Sequence, residues 1–180
     1  MDIQELEIPG LLLITPKIYS DDRGTFLESF KESVFRKSGI VHSFSQDNQS
    51  VSAKNVLRGL HFQIPPYEQG KLVRVVEGKA TDVVVDIRKK SSHYGRYLKV
   101  ELDAVESKIL WIPSGFAHGF VAREERTVFL YKCTKEYNQD SESGILWNDP
   151  DLAIDWGVDE PLISAKDAAL PYFKDLNSKF

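Results

Sequence analysis

Cysteine is nearly absent: Cys133 stands alone among 180 residues. No disulfide can form within the chain, and nothing in its cysteine usage points to an oxidising compartment. An excess of positive charge is also missing. Lys and Arg number 23 against 27 Asp and Glu, a formal net charge of −4. That balance excludes a general electrostatic pull toward a nucleic acid polymer or an anionic membrane, so a phosphate-bearing ligand would need a local basic pocket. Long hydrophobic runs are absent too. The stretch "IPGLLLIT" (8–15) is too short to span a bilayer, and the preceding "MDIQELE" is acidic where a secretory signal would be basic. It reads as a first core strand, and a cytoplasmic location is expected. Internal repeats, low-complexity tracts and Ser/Gly linkers do not occur. Residues 1–180 are therefore read as one domain, long enough to bury a sizeable core.

Helical signals are few and peripheral. "SFKESVFRKSG" (29–39) is a short amphipathic stretch closed by Gly39, and "SAKDAALPYFKDL" (164–176) has Ser164 as an N-cap and Pro171 as an interruption. What the chain has in plenty is strand. "KLVRVVEGKATDVVVDIR" (71–88) places two β-branched runs around Glu77-Gly78-Lys79, a hairpin signature. "YLKVELD" (97–103) alternates apolar and polar residues, and "KILWIP" (108–113) and "RTVFLYKCT" (126–134) continue the series. Short strands at near-regular spacing predict an all-β sandwich or barrel with small helices at its periphery.

The stretch "VLRGLHFQ" (56–63) interrupts an apolar strand with Arg58, Gly59 and His61. In strict alternation Arg58 and His61 face opposite sides of the sheet. A bulge at Gly59 would turn both toward one barrel interior. Taken alone, the eight residues also read as a glycine-weakened edge strand with both polar side chains in solvent. "WIPSGFAHGF" (111–120) carries a Pro-x-Gly-x-x-His pattern that resembles the second motif of the cupin superfamily, small double-stranded β-helix barrels. The first cupin motif would supply two histidines and a glutamate. Here the comparable positions are His61, Gln63 and Glu68, with Gln63 in place of a histidine. A metal-dependent oxygenase using His61, Glu68 and His118 is thus one alternative.

Another constellation needs no metal. Lys71 shares a strand face with Val73 and Val75, and Tyr131 shares one with Phe129 and Thr127. Each has an ordinary explanation, a lysine reaching out to solvent and a tyrosine packed in the core. Together with His61 and His118 they suit proton abstraction next to a ketone. Histidine is a natural base near neutral pH, and a lysine can stabilise an enolate oxygen in a water-poor site. A tyrosine on the opposite side of the substrate would return the proton to the other face. The outcome would be epimerisation.

The ordered stretches "DDRGTFLESF", "QDNQS", "VLRGLHFQ", "QGKLVRVVEGKATDVVVDIR", "WIPSGFAHGF", "FLYKCT", "NDPDLAIDW" and "SAKD" resemble the dTDP-4-dehydrorhamnose 3,5-epimerase family from about residue 6 to about residue 173. The resemblance implies a mostly β, cupin-type double-stranded β-helix, or jelly-roll barrel, with short peripheral helices. It implies a metal-independent, cofactor-free isomerase acting on a dTDP-linked 4-keto-6-deoxy sugar. His61 matches the family's catalytic base, Tyr131 its proton donor, and Asp167 the carboxylate that orients the base. Lys71 and His118 match residues near the C4 oxygen and sugar ring, and Arg58 a substrate-contacting arginine. Arg23, Glu28, Gln46 and Asn48 would hold the nucleotide, with Gln63, Glu142 and Lys166 as further substrate contacts. Phe26 and Tyr137 would be aromatic surfaces for the base or sugar. The family resemblance also implies a homodimer with an exchanged N-terminal strand. A single-centre 3- or 5-epimerase of another deoxysugar pathway is the alternative within the class, and a non-enzymatic sugar-binding cupin lies outside it.

Overall fold

The computed structural model describes residues 1–180. Its strands are β1 (Asp2–Glu5), β2 (Leu12–Thr15), β3 (Ile18–Asp21), β4 (Gly24–Leu27), β5 (Gln46–Ser52), β6 (Leu57–Gln63), β7 (Lys71–Glu77), β8 (Lys79–Asp86), β9 (Tyr97–Asp103), β10 (Ile109–Ile112), β11 (Phe116–Ala122), β12 (Thr127–Cys133) and β13 (Glu142–Gly144). Two short helices, α1 (Glu32–Lys37) and α2 (Ala165–Ala168), complete the regular elements with two single turns of 3₁₀ helix. Six strands form one sheet in the order β1-β2-β10-β7-β12-β5, and five form a second in the order β13-β6-β11-β8-β9. Strands β3 and β4 make a separate hairpin.

Alternation explains why the two sheets close on each other. Val73 and Val75 of β7, Leu110 and Ile112 of β10 and Phe129 of β12 face inward from the first sheet. They meet Ala80 and Val84 of β8, Leu102 of β9 and Phe120 of β11 from the second. Phe120 and Phe129 stack across the interior at 4.2 Å between ring centroids. The all-β sandwich or barrel expected from the strand pattern is observed, and it is the mostly β, cupin-type barrel that the resemblance implies.

The outer faces are covered by what lies between and beyond the strands. Helix α1 and its flanking loop lay Phe35 and Ile40 over Ile14, Leu72, Ile109 and Trp111. The segment after β13 packs Ile145, Leu152 and Trp156 against Leu57, Leu60 and Phe62 of β6. Capping chemistry accounts for the end of α1 and the start of α2, whereas α1 begins after Lys31 without a side-chain cap and α2 closes at Ala168, short of Pro171. Gly39 follows α1 with a positive φ, and the Ser164 hydroxyl accepts the Asp167 backbone N–H at the start of α2.

One expectation is overturned. Residues 71–77 and 79–86 do not pair as a hairpin. β7 sits between β10 and β12, while β8 sits between β11 and β9 in the other sheet. Gly78 is a corner at which the chain leaves one sheet for the other. Its φ is +78°, and a Cβ there would strike the Arg126 carbonyl. Two apolar runs around a glycine have the same local pattern whether the chain folds back or crosses over, and here burial against facing sheets decides.

Candidate active site

The β6 stretch carries a bulge at Gly59. His61 pairs with His118 and Arg58 with Phe120, so Gly59 and Leu60 oppose the single residue Gly119. The consequence is visible on both sides of the strand. Leu57, Leu60 and Phe62 pack on the outer cluster, while Arg58 and His61 line the same interior cavity. Gly59 has φ +134°, and a Cβ on it would stand 2.5 Å from Gly119 Cα. With β13 and β11 on either side, β6 is no edge strand.

The cavity between the sheets has a volume of about 280 Å³. A second chamber of about 330 Å³ adjoins it, sharing His61, Lys71 and Tyr131 as lining residues. His61 comes from the five-stranded sheet, and Lys71 and Tyr131 from the six-stranded one. His61 and Tyr131 thus approach the cavity from opposite walls.

Helix α2 puts Asp167 behind β6. His61 Nε2 lies 2.8 Å from Asp167 Oδ1, and the Gly59 backbone N–H donates to Oδ2 at 3.3 Å. Burial would raise the Asp167 carboxyl. The His61 hydrogen bond and charge, with Gly59 N–H and the Ser164 hydroxyl, outweigh it and hold the group below its ordinary range. An ionised carboxylate only accepts, so His61 Nε2 carries the hydrogen and Nδ1 is the basic nitrogen. The His61 side chain is 32% exposed, enough to trade a proton with solvent, whereas Asp167 is 6% exposed.

Lys71 does not reach out to solvent. Its Nζ approaches the His61 carbonyl at 3.5 Å, and burial pulls its ammonium below the ordinary 10.5 against the opposing pull of Cys133, Asp82 and Glu142. His118 Nε2 lies 2.8 Å from Asp82 Oδ2. Burial lowers the His118 pKa most, and Asp82 raises it without cancelling that shift, so His118 is neutral at neutral pH. Burial raises the Tyr131 phenol above 10, Cys133 adds to the rise and Arg58 opposes it, so Tyr131 keeps its proton. Asp82 was not singled out from sequence. A usable signal was present: a carboxylate within "KATDVVVD", in register with Ala80 and Val84, must face the interior.

The second chamber is lined by Gln46, Asn48, Tyr137 and Glu142. Gln46 donates to Asn48 at 2.9 Å and accepts the Tyr137 N–H at 2.7 Å. Tyr137 Oη donates to Glu142 at 2.7 Å, and Lys166 Nζ pairs with the same carboxylate at 2.6 Å. Gln63 also lines this chamber, but its amide is occupied. It donates to the carbonyls of Tyr67 and Glu136 and accepts the Asn138 N–H, so it fastens the Tyr137-bearing segment instead of offering a free amide to a ligand.

Lys166 meets the second chamber only through Glu142, and three further expected residues lie elsewhere. Arg23 and Phe26 sit on the β3–β4 hairpin and line a separate surface concavity, with Arg23 paired to Asp21 and Phe26 66% exposed. Glu28 pairs with Lys31 in the next turn of chain. None of the three lines the chambers around His61. Nor do His61, Glu68 and His118 form a ligand set. Glu68 is paired with Lys135 at 2.8 Å, and no three His, Cys, Asp or Glu side chains converge where a metal ion could sit. The remaining histidines are peripheral: His42 is exposed and stacks on Trp111, and His93 lies in the loop after β8.

Comparison with known proteins places this geometry. The family model for dTDP-4-dehydrorhamnose 3,5-epimerase matches residues 5–175. The dTDP-4-dehydrorhamnose 3,5-epimerase of Shigella flexneri is 48% identical over 168 residues, covering 93% of each chain. That of Salmonella typhimurium is 49% identical over 173 residues, covering 95% of this chain and 94% of its own. The crystal structure of dTDP-6-deoxy-D-glucose-3,5-epimerase from Legionella pneumophila in complex with dTDP-4-keto-L-rhamnose superposes with a TM-score of 0.94. It is 44% identical, covering 98% of this chain and 94% of that one. With its barrel, its His–Asp pair and its facing tyrosine, the chain belongs to the dTDP-4-dehydrorhamnose 3,5-epimerase family.

Proposed function

We propose that the protein epimerises dTDP-4-dehydro-6-deoxy-D-glucose at C3 and C5 to dTDP-4-dehydro-L-rhamnose, a step of dTDP-L-rhamnose biosynthesis. The observation that carries this reading is the placement of His61 and Tyr131 on opposite walls of one cavity. His61 Nδ1 takes the proton from the carbon beside the C4 ketone, and the electron pair of that C–H bond moves onto the C4 oxygen. Asp167 balances the imidazolium that forms. The Lys71 ammonium stabilises the enolate oxygen inside the water-poor barrel, beside His118, whose Nε2–H is held by Asp82. Tyr131 then protonates the carbon from the other face, solvent restores its hydrogen, and His61 releases the proton it took. No electrons leave the substrate, so the step calls for no redox cofactor.

The second chamber suits the nucleotide, with Tyr137 as a flat surface and Gln46 and Asn48 as hydrogen-bonding groups. A diphosphate needs cations beyond Lys71, and Lys166, which reaches this chamber's Glu142, is already paired with it. Arg23 and Phe26 on the β3–β4 hairpin, and Glu28 just after it, do not line their own chain's cavity. We therefore assign the protein as a homodimer in which that hairpin serves the second copy's nucleotide site, working on a dissolved substrate in the cytoplasm. No helix is long and apolar enough to cross a membrane.

Incubation of the substrate with protein in deuterated water tests the reading. Deuterium at both C3 and C5 of the product, followed by NMR, is the expected result. Label at one carbon would instead make it a single-centre epimerase, and no label with a bound product would remove the enolate mechanism.

A further inference from the structure

The inward face of β5 is polar along its length: Gln46, Asn48, Ser50 and Ser52 alternate with exposed Asp47, Gln49 and Val51. Three of these four side chains have partners. Gln46 and Asn48 bond each other, and the Ser52 hydroxyl accepts Arg58 Nε at 3.2 Å. Ser164, also lining the cavity, accepts the Asp167 N–H. The Ser50 hydroxyl is enclosed and has no partner in the protein, yet it lines the chamber that holds His61, Lys71 and Tyr131. A buried hydroxyl with nothing to bond is costly, and a site that keeps one is shaped for a ligand group that completes it.

The chemistry of the reaction narrows what that group is. The inference rests on the proposed substrate, whose C1 carries the nucleotide, C4 the ketone and C6 only a methyl. The hydroxyl on C3 changes direction when its carbon is inverted. Among the sugar's hydroxyls, only that on C2 stays fixed on its carbon through both inversions, so it is the hydroxyl that can be held throughout. Arg58 lines the same chamber from the other sheet, donates its Nε to Ser52 of β5 two residues beyond Ser50, and has no carboxylate partner, which leaves its terminal nitrogens for the sugar.

We infer that Ser50 is a specificity residue whose hydroxyl, beside Arg58, binds the C2 hydroxyl of the sugar and anchors the ring while C3 and C5 invert. The test uses Ser50→Ala with two substrates, the dTDP-linked 4-keto-6-deoxy sugar and its 2-deoxy counterpart. One neutral hydrogen bond lost corresponds to a fall in kcat/KM of about 3- to 12-fold on the first sugar. On the 2-deoxy sugar, variant and wild type should agree within about twofold. The melting temperature of the ligand-free variant should be unchanged or higher, since an unpartnered buried hydroxyl has been removed. An equal loss on both sugars, no loss on either, or a lowered melting temperature would overturn the assignment. A wild-type protein that exchanges no deuterium into the first sugar would overturn the functional reading itself, and the C2 assignment with it.

Discussion

Replacing Asp167 with Asn removes one charge and keeps the shape. The amide oxygen can still meet Gly59 N–H, and the turn of α2 is closed by the residue's backbone N–H on Ser164, which the substitution does not touch. What is lost is the negative charge 2.8 Å from the nitrogen of His61. Two unit charges at that distance interact by about 6 kcal/mol at an effective dielectric of about 20 and about 1.5 kcal/mol in water. The His61 side chain is 32% exposed and Asp167 6%, so the pair lies between these limits. A value of about 3–4 kcal/mol belongs to the imidazolium-enolate state and not to the resting pair, so kcat should fall about 10²- to 10³-fold. KM should change little, because substrate binding does not require the charge. The assay is single-turnover inversion at C3 and C5 by NMR, with the melting temperature measured alongside. Turnover within about threefold of wild type would refute the role of Asp167. So would a comparable loss accompanied by a large drop in melting temperature, which would make the residue structural.

Two further outcomes follow from the same geometry. Gly59→Ala forces a Cβ against Gly119 at a φ of +134° and should destabilise the fold by about 1–3 kcal/mol, read as a melting temperature lower by several degrees. A variant that melts like wild type would contradict the bulge. Lys71 acts as an ammonium whose pKa is lowered by burial while that of Tyr131 is raised, so activity should fall with rising pH at values below 10.5. Lys71→Arg, which stays charged, should carry less activity but lose that alkaline limb. A limb unchanged in the arginine variant would assign it to another group.

Much of the site could be read from residues close together in sequence. The bulge at Gly59 was legible only when Arg58 and His61 were set beside Lys71, His118, Tyr131 and Asp167, since the stretch alone also reads as a glycine-weakened edge strand. The Ser164 cap that carries Asp167 was legible because it is local chemistry. The Gly78 corner was not, since partner choice for Lys71–Glu77 and Lys79–Asp86 is settled by distant strands and by the facing cores they bury. Asp82 and Ser50 escaped notice for a related reason. A carboxylate or hydroxyl on a strand announces itself only once the inward face is known. Gln63 was assigned to substrate from its position, but its amide is taken by backbone groups some seventy residues away in sequence, at Glu136 and Asn138. The β3–β4 hairpin shows the opposite limit: Arg23 and Phe26 were assigned to the nucleotide by resemblance, yet they line a concavity apart from the chambers around His61.

The central claim is that the base and the acid act on opposite faces of the sugar. Tyr131→Phe in deuterated water tests it most directly. His61 should still remove a proton and, being open to solvent, return deuterium to the face it came from. The account predicts deuterium at C3 and C5 of sugar that has not been inverted, with inversion slowed about 10²- to 10⁴-fold. Inversion at a rate near wild type would contradict it.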